Sequence, residues 1–317
     1  MDNICEESEA SVKLDFNSMM RNFLRQYLKM LVKIPTYCIY VAAVLERVVR
    51  KDNSVRILMY HSTGNIPKEH WDHYDNVPVP RFRSQMEYLK RRYKVISLSD
   101  LVRLQEQRKC LESRSIVISF DDGYRNQFLY AYPILKRLGL SAVFFVVTNY
   151  IGASRPLYHL QTAQENFSES TEALPLRWED IEEMSADMII GSHSCSHRSV
   201  GSLPDSEAAT EIFESKHMLE QRLGKPIDHF SYPFGSQAYG DFNDRTTELL
   251  QKAGYKTACT TVVGANKELL DLYRLKRIPV EASDSVFDLE CKLSGAYDWV
   301  GPFKTRFQRI FGKRSFA

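Results

Sequence analysis

The amino-acid sequence predicts an α/β fold in which helices cover a parallel sheet, either as a barrel or as an open doubly wound sheet. Short apolar segments alternate with segments of helical periodicity along most of the chain. The apolar segments are continuous and rich in β-branched residues, which is typical of strands buried on both faces. No internal repeat or low-complexity tract interrupts this alternation.

The predicted elements follow one another from residue 56 to residue 261. Strands are expected at residues 56–60, 95–98, 116–120, 141–147, 188–190, 229–232 and 256–261. Helices are expected at residues 82–93, 131–138, 178–184, 205–223 and 246–253, and Asp100 is expected to cap a further helix. The polar stretch 150–177 is a candidate lid or substrate loop.

Composition limits the class of protein. A chain of 317 residues with 44% hydrophobic and 26% charged residues suits one large globular α/β domain. The net charge of +2 argues against a general nucleic-acid binder, so no nucleic-acid partner is expected. The six cysteines form no CxxC pair and favour reduced thiols over a secreted disulfide scaffold, which predicts a cytoplasmic location.

The two ends of the chain differ from its centre. Basic residues punctuate apolar ones in segments 19–50 and 303–314, and no signal-peptide order of basic and apolar residues is recognised at the start. These segments either lie on a membrane surface or pack on the domain, and their occurrence at both ends favours peripheral contact with the inner membrane face. The expected division is 1–54 for the N-terminal segment, 55–285 for the catalytic domain and 286–317 for the tail.

The sequence Ser-Phe-Asp-Asp-Gly-Tyr at 119–124 places two carboxylates at a predicted strand end. Gly123 permits a tight turn after the strand, so Asp121 and Asp122 fall where α/β folds carry their chemistry. An ordinary capped strand end is the alternative interpretation.

A second polar motif, His-Ser-Cys-Ser-His, occupies residues 193–197 after another predicted strand. His193 and His197 are spaced so that both can reach one divalent ion, and a nearby aspartate would complete a facial set of ligands. Cys195 is interpreted as a small filler residue. A chance pair of histidines is the alternative.

Together, SFDDGY and HSCSH resemble the first two motifs of the polysaccharide deacetylases, the NodB-homology family. The resemblance covers about residues 55–282, and LMYHS, YPILKRLGLSAVFFVV, LRWEDIEEM, FSYPFG and YRLKRIPV support it in the family's order. It implies a distorted (β/α) barrel that removes acetyl groups from carbohydrates with a bound divalent metal, usually zinc, although other divalent ions serve some members.

The resemblance also implies a role for each motif residue. Asp122, His193 and His197 would hold the metal, while Asp121 would be the general base that takes a proton from the attacking water. The backbone N–H of Tyr124 would stabilise the oxyanion of the tetrahedral intermediate.

The general acid is expected at an unusual place in the chain. Many family members use a histidine in a C-terminal Leu-x-x-His motif, but no histidine follows His229 here. Leu58-Met-Tyr-His61 resembles the motif of a circularly permuted subgroup, which includes enzymes that act on poly-N-acetylglucosamine. His61 is therefore the predicted acid, with a structural histidine as the alternative.

The third motif departs from the family pattern, because Ser231 stands where an arginine usually partners the base. Arg274 or Arg277 could take its place through space, although a structural ion pair is the alternative for either. Substrate contacts are expected from aromatic and neighbouring residues, with core packing as the alternative for the rings. The candidates are Trp178, Tyr232, Pro233, Phe234, Tyr239 and Arg277.

The function expected from these features is a divalent-metal-dependent amidohydrolase acting on an N-acetylated glycan or a lipid-linked sugar. A de-O-acetylase or deformylase would present the same metal centre. A catalytically silent module that binds a glycan or a glycosyltransferase is the third hypothesis.

Overall fold

The structure is a computed structural model that describes residues 35–40, 53–66, 75–155, 174–267 and 270–302. Most of the predicted lid at 150–177 lies outside these ranges. So does the whole of segment 303–314, and segment 19–50 is described over residues 35–40 alone.

One sheet of eight parallel strands forms the centre of the domain. The strands are β1 (Arg56–Tyr60), β2 (Lys94–Val95), β3 (Ser115–Phe120), β4 (Val143–Val146), β5 (Ile189–Ser192), β6 (His229–Ser231), β7 (Thr257–Cys259) and β8 (Ile278–Pro279). Their order is β7-β6-β5-β4-β3-β1-β8, with β2 paired to β3. The predicted parallel sheet is confirmed.

The chain segment before β8 joins the two edges of the sheet. The N–H of Leu275 donates to Ala258 O at 2.9 Å and that of Thr260 donates to Leu275 O at 2.8 Å, beside β7. Directly after Arg277, the chain pairs with β1, where Ile278 lies opposite Leu58. The sheet is therefore curled into a distorted (β/α) barrel, as the family resemblance implies, and is not an open sheet.

Helices cover the sheet along the chain. They are α1 (Val79–Arg92), α2 (Leu98–Glu106), α3 (Tyr132–Leu138), α4 (Trp178–Met184), α5 (Asp205–Leu223), α6 (Asp244–Lys252) and α7 (Val286–Ser294), with a π-helical turn at Gln127–Ala131 and 3₁₀ turns at Thr148–Tyr150 and Val200–Ser202. The expected helices at 178–184 and 205–223 are confirmed.

Two local predictions near α2 are wrong. The expected strand at 95–98 ends at Val95, because Leu98 is already the first residue of α2. The N-cap of α2 is Ser97, whose Oγ accepts a hydrogen bond from Asp100 N at 3.0 Å. Asp100 acts from the third helical position, where its carboxylate accepts from Ser97 N at 3.1 Å and completes a capping box.

The packed core extends past the expected domain boundary at residue 285. Helix α7 begins directly after it, and Leu289 and Leu293 on this helix are fully buried in the main core. The helical residues 35–40 also pack here, since the rings of Tyr37 and Tyr40 lie 5.4 and 5.3 Å from the ring of Phe287. The described part of the N-terminal segment therefore contacts the domain.

Within the described ranges, no helix combines the length and the apolar character required to cross a bilayer.

Candidate active site

The candidate site lies at the carboxyl end of the barrel. His61 follows β1, Asp121 and Asp122 follow β3, and His193 follows β5. Because these strands are parallel, their carboxyl ends open on the same face, which is where (β/α) barrels carry catalytic groups. The structure therefore brings together motifs that are up to 132 residues apart, from His61 to His193.

A tight left-handed turn presents the two aspartates. Asp122 has φ 72° and Gly123 has φ 71°, and Gly123 N donates to Asp121 O at 2.9 Å. A Cβ at Gly123 would lie 3.1 Å from Val146 Cγ1, so glycine serves both the backbone conformation and the close approach to β4. The left-handed conformation of Asp122 costs about 1–3 kcal/mol, a strain typical of functional sites.

Asp122, His193 and His197 form a candidate metal centre. Asp122 Oδ1 lies 3.4 Å from His193 Nε2 and 3.2 Å from His197 Nε2. One ligand atom from each residue falls within 4.8 Å of the others, and no other such cluster of three occurs in the described part of the chain. One carboxylate and two imidazoles on a common point fit a divalent ion such as zinc.

The orientation of His193 also fits a metal ligand. Its Nδ1–H donates to the backbone carbonyl of Ser231 at 2.7 Å, which leaves the lone pair of Nε2 directed at Asp122. Burial acts to lower the pKa of His193, but the carboxylates of Asp121 and Asp122 raise it above its ordinary value. The carboxylates that favour a proton on His193 would equally favour a bound metal ion.

Asp122 is held ionised in this position. Burial acts to raise the pKa of its carboxyl group, but the hydrogen bonds from His193 and His197 and the electrostatic effect of His197 hold it well below its usual range. An ionised carboxylate is the form that binds a cation.

Asp121 is paired with a buried arginine. Arg277 binds it through two parallel hydrogen bonds of 2.7 and 2.6 Å, and Ser231 Oγ donates to Asp121 Oδ2 at 3.3 Å. Burial acts to raise the pKa of Asp121, and the Arg277 guanidinium brings it below its ordinary value. Asp121 therefore stays ionised and able to accept a proton.

The position of Arg277 resolves which arginine partners Asp121. Its other N–H groups donate to Thr260 O at 2.8 Å, Ser231 Oγ at 3.0 Å and Ser119 Oγ at 3.4 Å. Arg277 is fully buried beneath the site, so its guanidinium contacts the protein and not an open surface. The other candidate, Arg274, makes its ion pairs with Asp244 and Asp271.

His61 stands at the carboxyl end of β1, half-buried. Gln127 Nε2 donates both to His61 O at 2.8 Å and to Asp121 O at 2.6 Å, so one buried carboxamide joins the two loops. Burial raises the pKa of Asp121, and His61 acts electrostatically to lower it, after the larger effects of Arg277 and His193. No sequence pattern identifies Gln127, because it lies on an irregular π-helical turn.

Tyr124 follows Gly123 in the same loop. Leu176 N donates to Gly123 O and Arg125 N donates to Leu174 O, both at 2.8 Å. These bonds fix the backbone on either side of the Tyr124 peptide, whose N–H is the predicted oxyanion donor.

The loop that carries both histidines is braced from α5. Ser194 and His197 have φ values of 66° and 61°, and Ser194 Oγ accepts from His197 N at 3.1 Å. Glu211 accepts hydrogen bonds from Cys195 N at 2.9 Å and Ser196 N at 2.8 Å. Glu211 was not identified from the sequence. It lies on the helix face that also buries Ala208, Ile212 and Leu219, and a charged residue on a buried face indicates a specific polar partner.

The predicted substrate contacts separate into two groups. Phe234 is 40% exposed, and its ring lies 4.9 Å from that of His197, at the mouth of the site. Tyr232 and Pro233 are buried, and the Tyr232 ring stacks on Phe242 at 5.2 Å. Trp178 is half-buried at the start of α4, packs on the core and lies under the Arg222 guanidinium at 5.6 Å.

Other polar residues of the motifs are structural. The backbone carbonyls of Ser194 and Cys195 accept from Thr148 N and Asn149 N at 3.2 and 2.9 Å. Burial raises the pKa of the Cys195 thiol to about 11, which agrees with a filler residue. Asp298, near the end of the described chain, forms an ion pair with Arg56, with 2.6 Å between Asp298 Oδ1 and Arg56 Nη1.

Comparison with known proteins adds a family and two relatives. The family model described as polysaccharide deacetylase matches residues 108–258. A Bacillus subtilis (strain 168) protein named for the polysaccharide deacetylases is 28% identical over 234 residues, which cover 73% of this chain and 72% of the relative. The poly-β-1,6-N-acetyl-D-glucosamine N-deacetylase of Staphylococcus epidermidis is 27% identical over 227 residues, covering 70% and 73%.

A solved structure supports the fold. The Streptococcus pyogenes deacetylase PplD in complex with acetate aligns with a TM-score of 0.63 and 24% identity, and the alignment covers 76% of this chain and 98% of that protein. At this identity the likeness concerns the fold alone.

Proposed function

Because the polysaccharide deacetylase family model matches residues 108–258 of this chain, we propose that it is a divalent-metal-dependent hydrolase that removes N-acetyl groups from a carbohydrate. The observation that carries the proposal is the set of Asp122, His193 and His197 around one point, with the ionised Asp121 beside it. When a divalent ion is bound by these three residues, it supplies Lewis-acid chemistry that polarises a carbonyl and lowers the pKa of water.

The remaining steps fall to the protein's own residues. Asp121 accepts the proton of the attacking water, and the bidentate hydrogen bonds from Arg277 keep its carboxylate in place for that transfer. The backbone N–H of Tyr124 donates to the oxygen that becomes negative when water adds to the amide carbonyl. Of the two adjacent aspartates, Asp122 is thus the metal ligand and Asp121 is the base.

His61 completes the reaction as general acid. The tetrahedral intermediate breaks its C–N bond only when the amine nitrogen gains a proton, since an amide anion is a poor leaving group. Protonated His61 donates that proton, which yields acetate and the free amine of the sugar. The link through Gln127 holds the His61 and Asp121 loops at a fixed separation.

The proposed substrate is an N-acetylated glycan or a lipid-linked acetamido sugar of polysaccharide or glycolipid biosynthesis. The similar Staphylococcus epidermidis protein is a deacetylase of poly-β-1,6-N-acetyl-D-glucosamine, and this class of polymer comes first among the candidates. The exposed ring of Phe234 offers an apolar face on which a sugar ring can stack next to the metal ligands. Phe234 is therefore the proposed substrate contact, and it is the first of these residues to substitute.

The proposed location is cytoplasmic, with peripheral contact at the inner membrane face. Its basis is the mixture of basic and apolar residues in segments 19–50 and 303–314. Fractionation of cells tests it: full-length protein that stays wholly with the soluble fraction at low salt would contradict the membrane contact.

Acetate release from a panel of N-acetylated and O-acetylated oligosaccharides and lipid-linked acetamido sugars tests the activity. We expect zinc-loaded protein to release acetate from an N-acetylated member, and Asp121→Asn to abolish the release. Release from O-acetylated members alone would make the protein a de-O-acetylase. Glycan binding without any release, despite bound metal, would favour the silent binding module.

A further inference from the structure

Glu211 is a buried carboxylate in the middle of α5 that faces the loop 193–197. Its side chain is about 6% exposed. Oε2 accepts from the N–H groups of Cys195 and Ser196 at 2.9 and 2.8 Å, and Oε1 accepts from Ser196 Oγ. Three hydrogen bonds to an ionised acceptor hold one short stretch of backbone against a rigid helix.

The loop needs such an anchor because of its backbone conformation. Ser194 and His197 both adopt the left-handed region, which residues other than glycine rarely occupy unless their surroundings impose it. The two peptide groups held by Glu211 lie between them and immediately precede His197. Without the carboxylate, two donors would lose their acceptors, and the loop could relax to other conformations.

We infer that Glu211 is a positioning residue for the metal centre, which holds the loop so that His197 Nε2 meets Asp122 and His193. This inference rests on the proposed metal-dependent function. Groups that orient metal ligands typically change metal affinity by about 10- to 100-fold when they are removed. Glu211 acts through the backbone of the ligand loop and does not touch the metal itself.

The same helix provides a matched control. Glu207 lies one turn before Glu211 and binds the same arginine, with 2.7 Å between Arg198 Nη1 and Glu207 Oε2 and 3.4 Å between Arg198 Nε and Glu211 Oε1. The hydrogen bonds described for Glu207 go to Arg198 and none goes to the loop backbone. Glu207→Ala therefore removes an equal charge beside the same partner without altering the loop.

The test is a zinc titration of the metal-free protein in competition with a chromophoric chelator. We expect Glu211→Ala to raise the Kd for zinc by about 10- to 100-fold and Glu207→Ala to change it by less than about twofold. With Co²⁺ as the probe, the visible absorption of the Glu211→Ala protein should shift, since the angles between the ligands change. Thermal unfolding of each metal-free variant is measured in parallel.

An unchanged Kd for zinc in Glu211→Ala would overturn the inference, whether or not the metal-free protein loses stability. If Glu211→Ala does not fold, Glu211→Asp, which withdraws the carboxylate by one methylene, is judged by the same criterion. Wild-type protein that binds no metal would refute the inference together with its metal site. Wild-type protein that binds zinc tightly but releases no acetate would refute the proposed activity and leave the effect of Glu211 measurable.

Discussion

Two fully buried histidines on neighbouring strands have opposite surroundings. His229, at the start of β6, has hydroxyl partners at 2.9 Å on both nitrogens, Thr257 and Ser99, and burial lowers its pKa to about 4. His193, after the end of β5, has a carbonyl on one nitrogen and carboxylates near the other, and its pKa is raised. Burial alone makes a histidine neutral and structural, whereas the carboxylates at the carboxyl end of the barrel make it a cation site.

The largest effect on activity is expected from Asp121→Asn. General bases contribute about 10²–10⁴-fold to the rate, and this variant also leaves the buried Arg277 without its counter-charge. Breaking a buried ion pair costs about 3–5 kcal/mol, so the free energy of unfolding should fall as well. Acetate release and urea unfolding measure the two effects. Asp244→Asn is the control, since Asp244 binds Arg274 at the surface, and equal losses in both variants would contradict the assigned roles.

His61→Ala should lower kcat by about 10²–10⁴-fold, because the leaving amine loses its proton donor. The zinc affinity should stay unchanged, which separates this variant from changes in the ligands. His217→Ala on the exposed face of α5 is the control. Wild-type rates in His61→Ala would assign His61 a structural role.

Substitution of His229 sharpens the comparison between the two histidines. His229→Ala leaves Ser99 and Thr257 without their buried partner, which should cost about 1–3 kcal/mol of stability. Metal affinity and the rate per folded molecule should not change. His193→Ala should instead abolish metal binding. Loss of metal binding in His229→Ala would contradict the distinction between a structural histidine and a metal-binding one.

The pH dependence of stability gives a smaller effect of predictable sign. The pKa of His229 is about 4 in the folded protein and 6.5 ordinarily, so below pH 6.5 the unfolded chain binds the proton that the folded chain does not. Stability should therefore fall as the pH drops from 6.5 towards 4, by about 3 kcal/mol at most. Urea unfolding of wild type and His229→Gln at several pH values measures this contribution. Parallel curves for the two proteins would contradict it.

The sequence was most informative where the local pattern determines the structure. Continuous apolar runs predicted the buried parallel strands, and SFDDGY and HSCSH placed Asp122, His193 and His197 at strand ends that the fold brings together. Helical spacing also gave α4 and α5 with their observed bounds. Periodicity could not show β8, which has two residues, or the burial of α7 in the core.

Contacts between distant segments were beyond the sequence. Arg277 and Asp121 are 156 residues apart, so the choice between Arg274 and Arg277 required the path of the chain between β7 and β1. Aromatic residues are equally ambiguous: Tyr232 and Phe234 are two residues apart, yet one faces the core and the other the mouth of the site. The carboxamide of Gln127 and the carboxylate of Glu211 bind backbone groups, so no sequence motif identifies them.

Acetate release by metal-free and zinc-reconstituted protein tests the central claim most directly, with His193→Ala measured beside the wild type. We expect release to vanish when the metal is removed, to return in wild type at about one equivalent of zinc, and to remain absent in His193→Ala, since its three-residue ligand set is broken. Equal rates of acetate release from the metal-free and the reconstituted wild type would contradict the metal centre assigned to Asp122, His193 and His197.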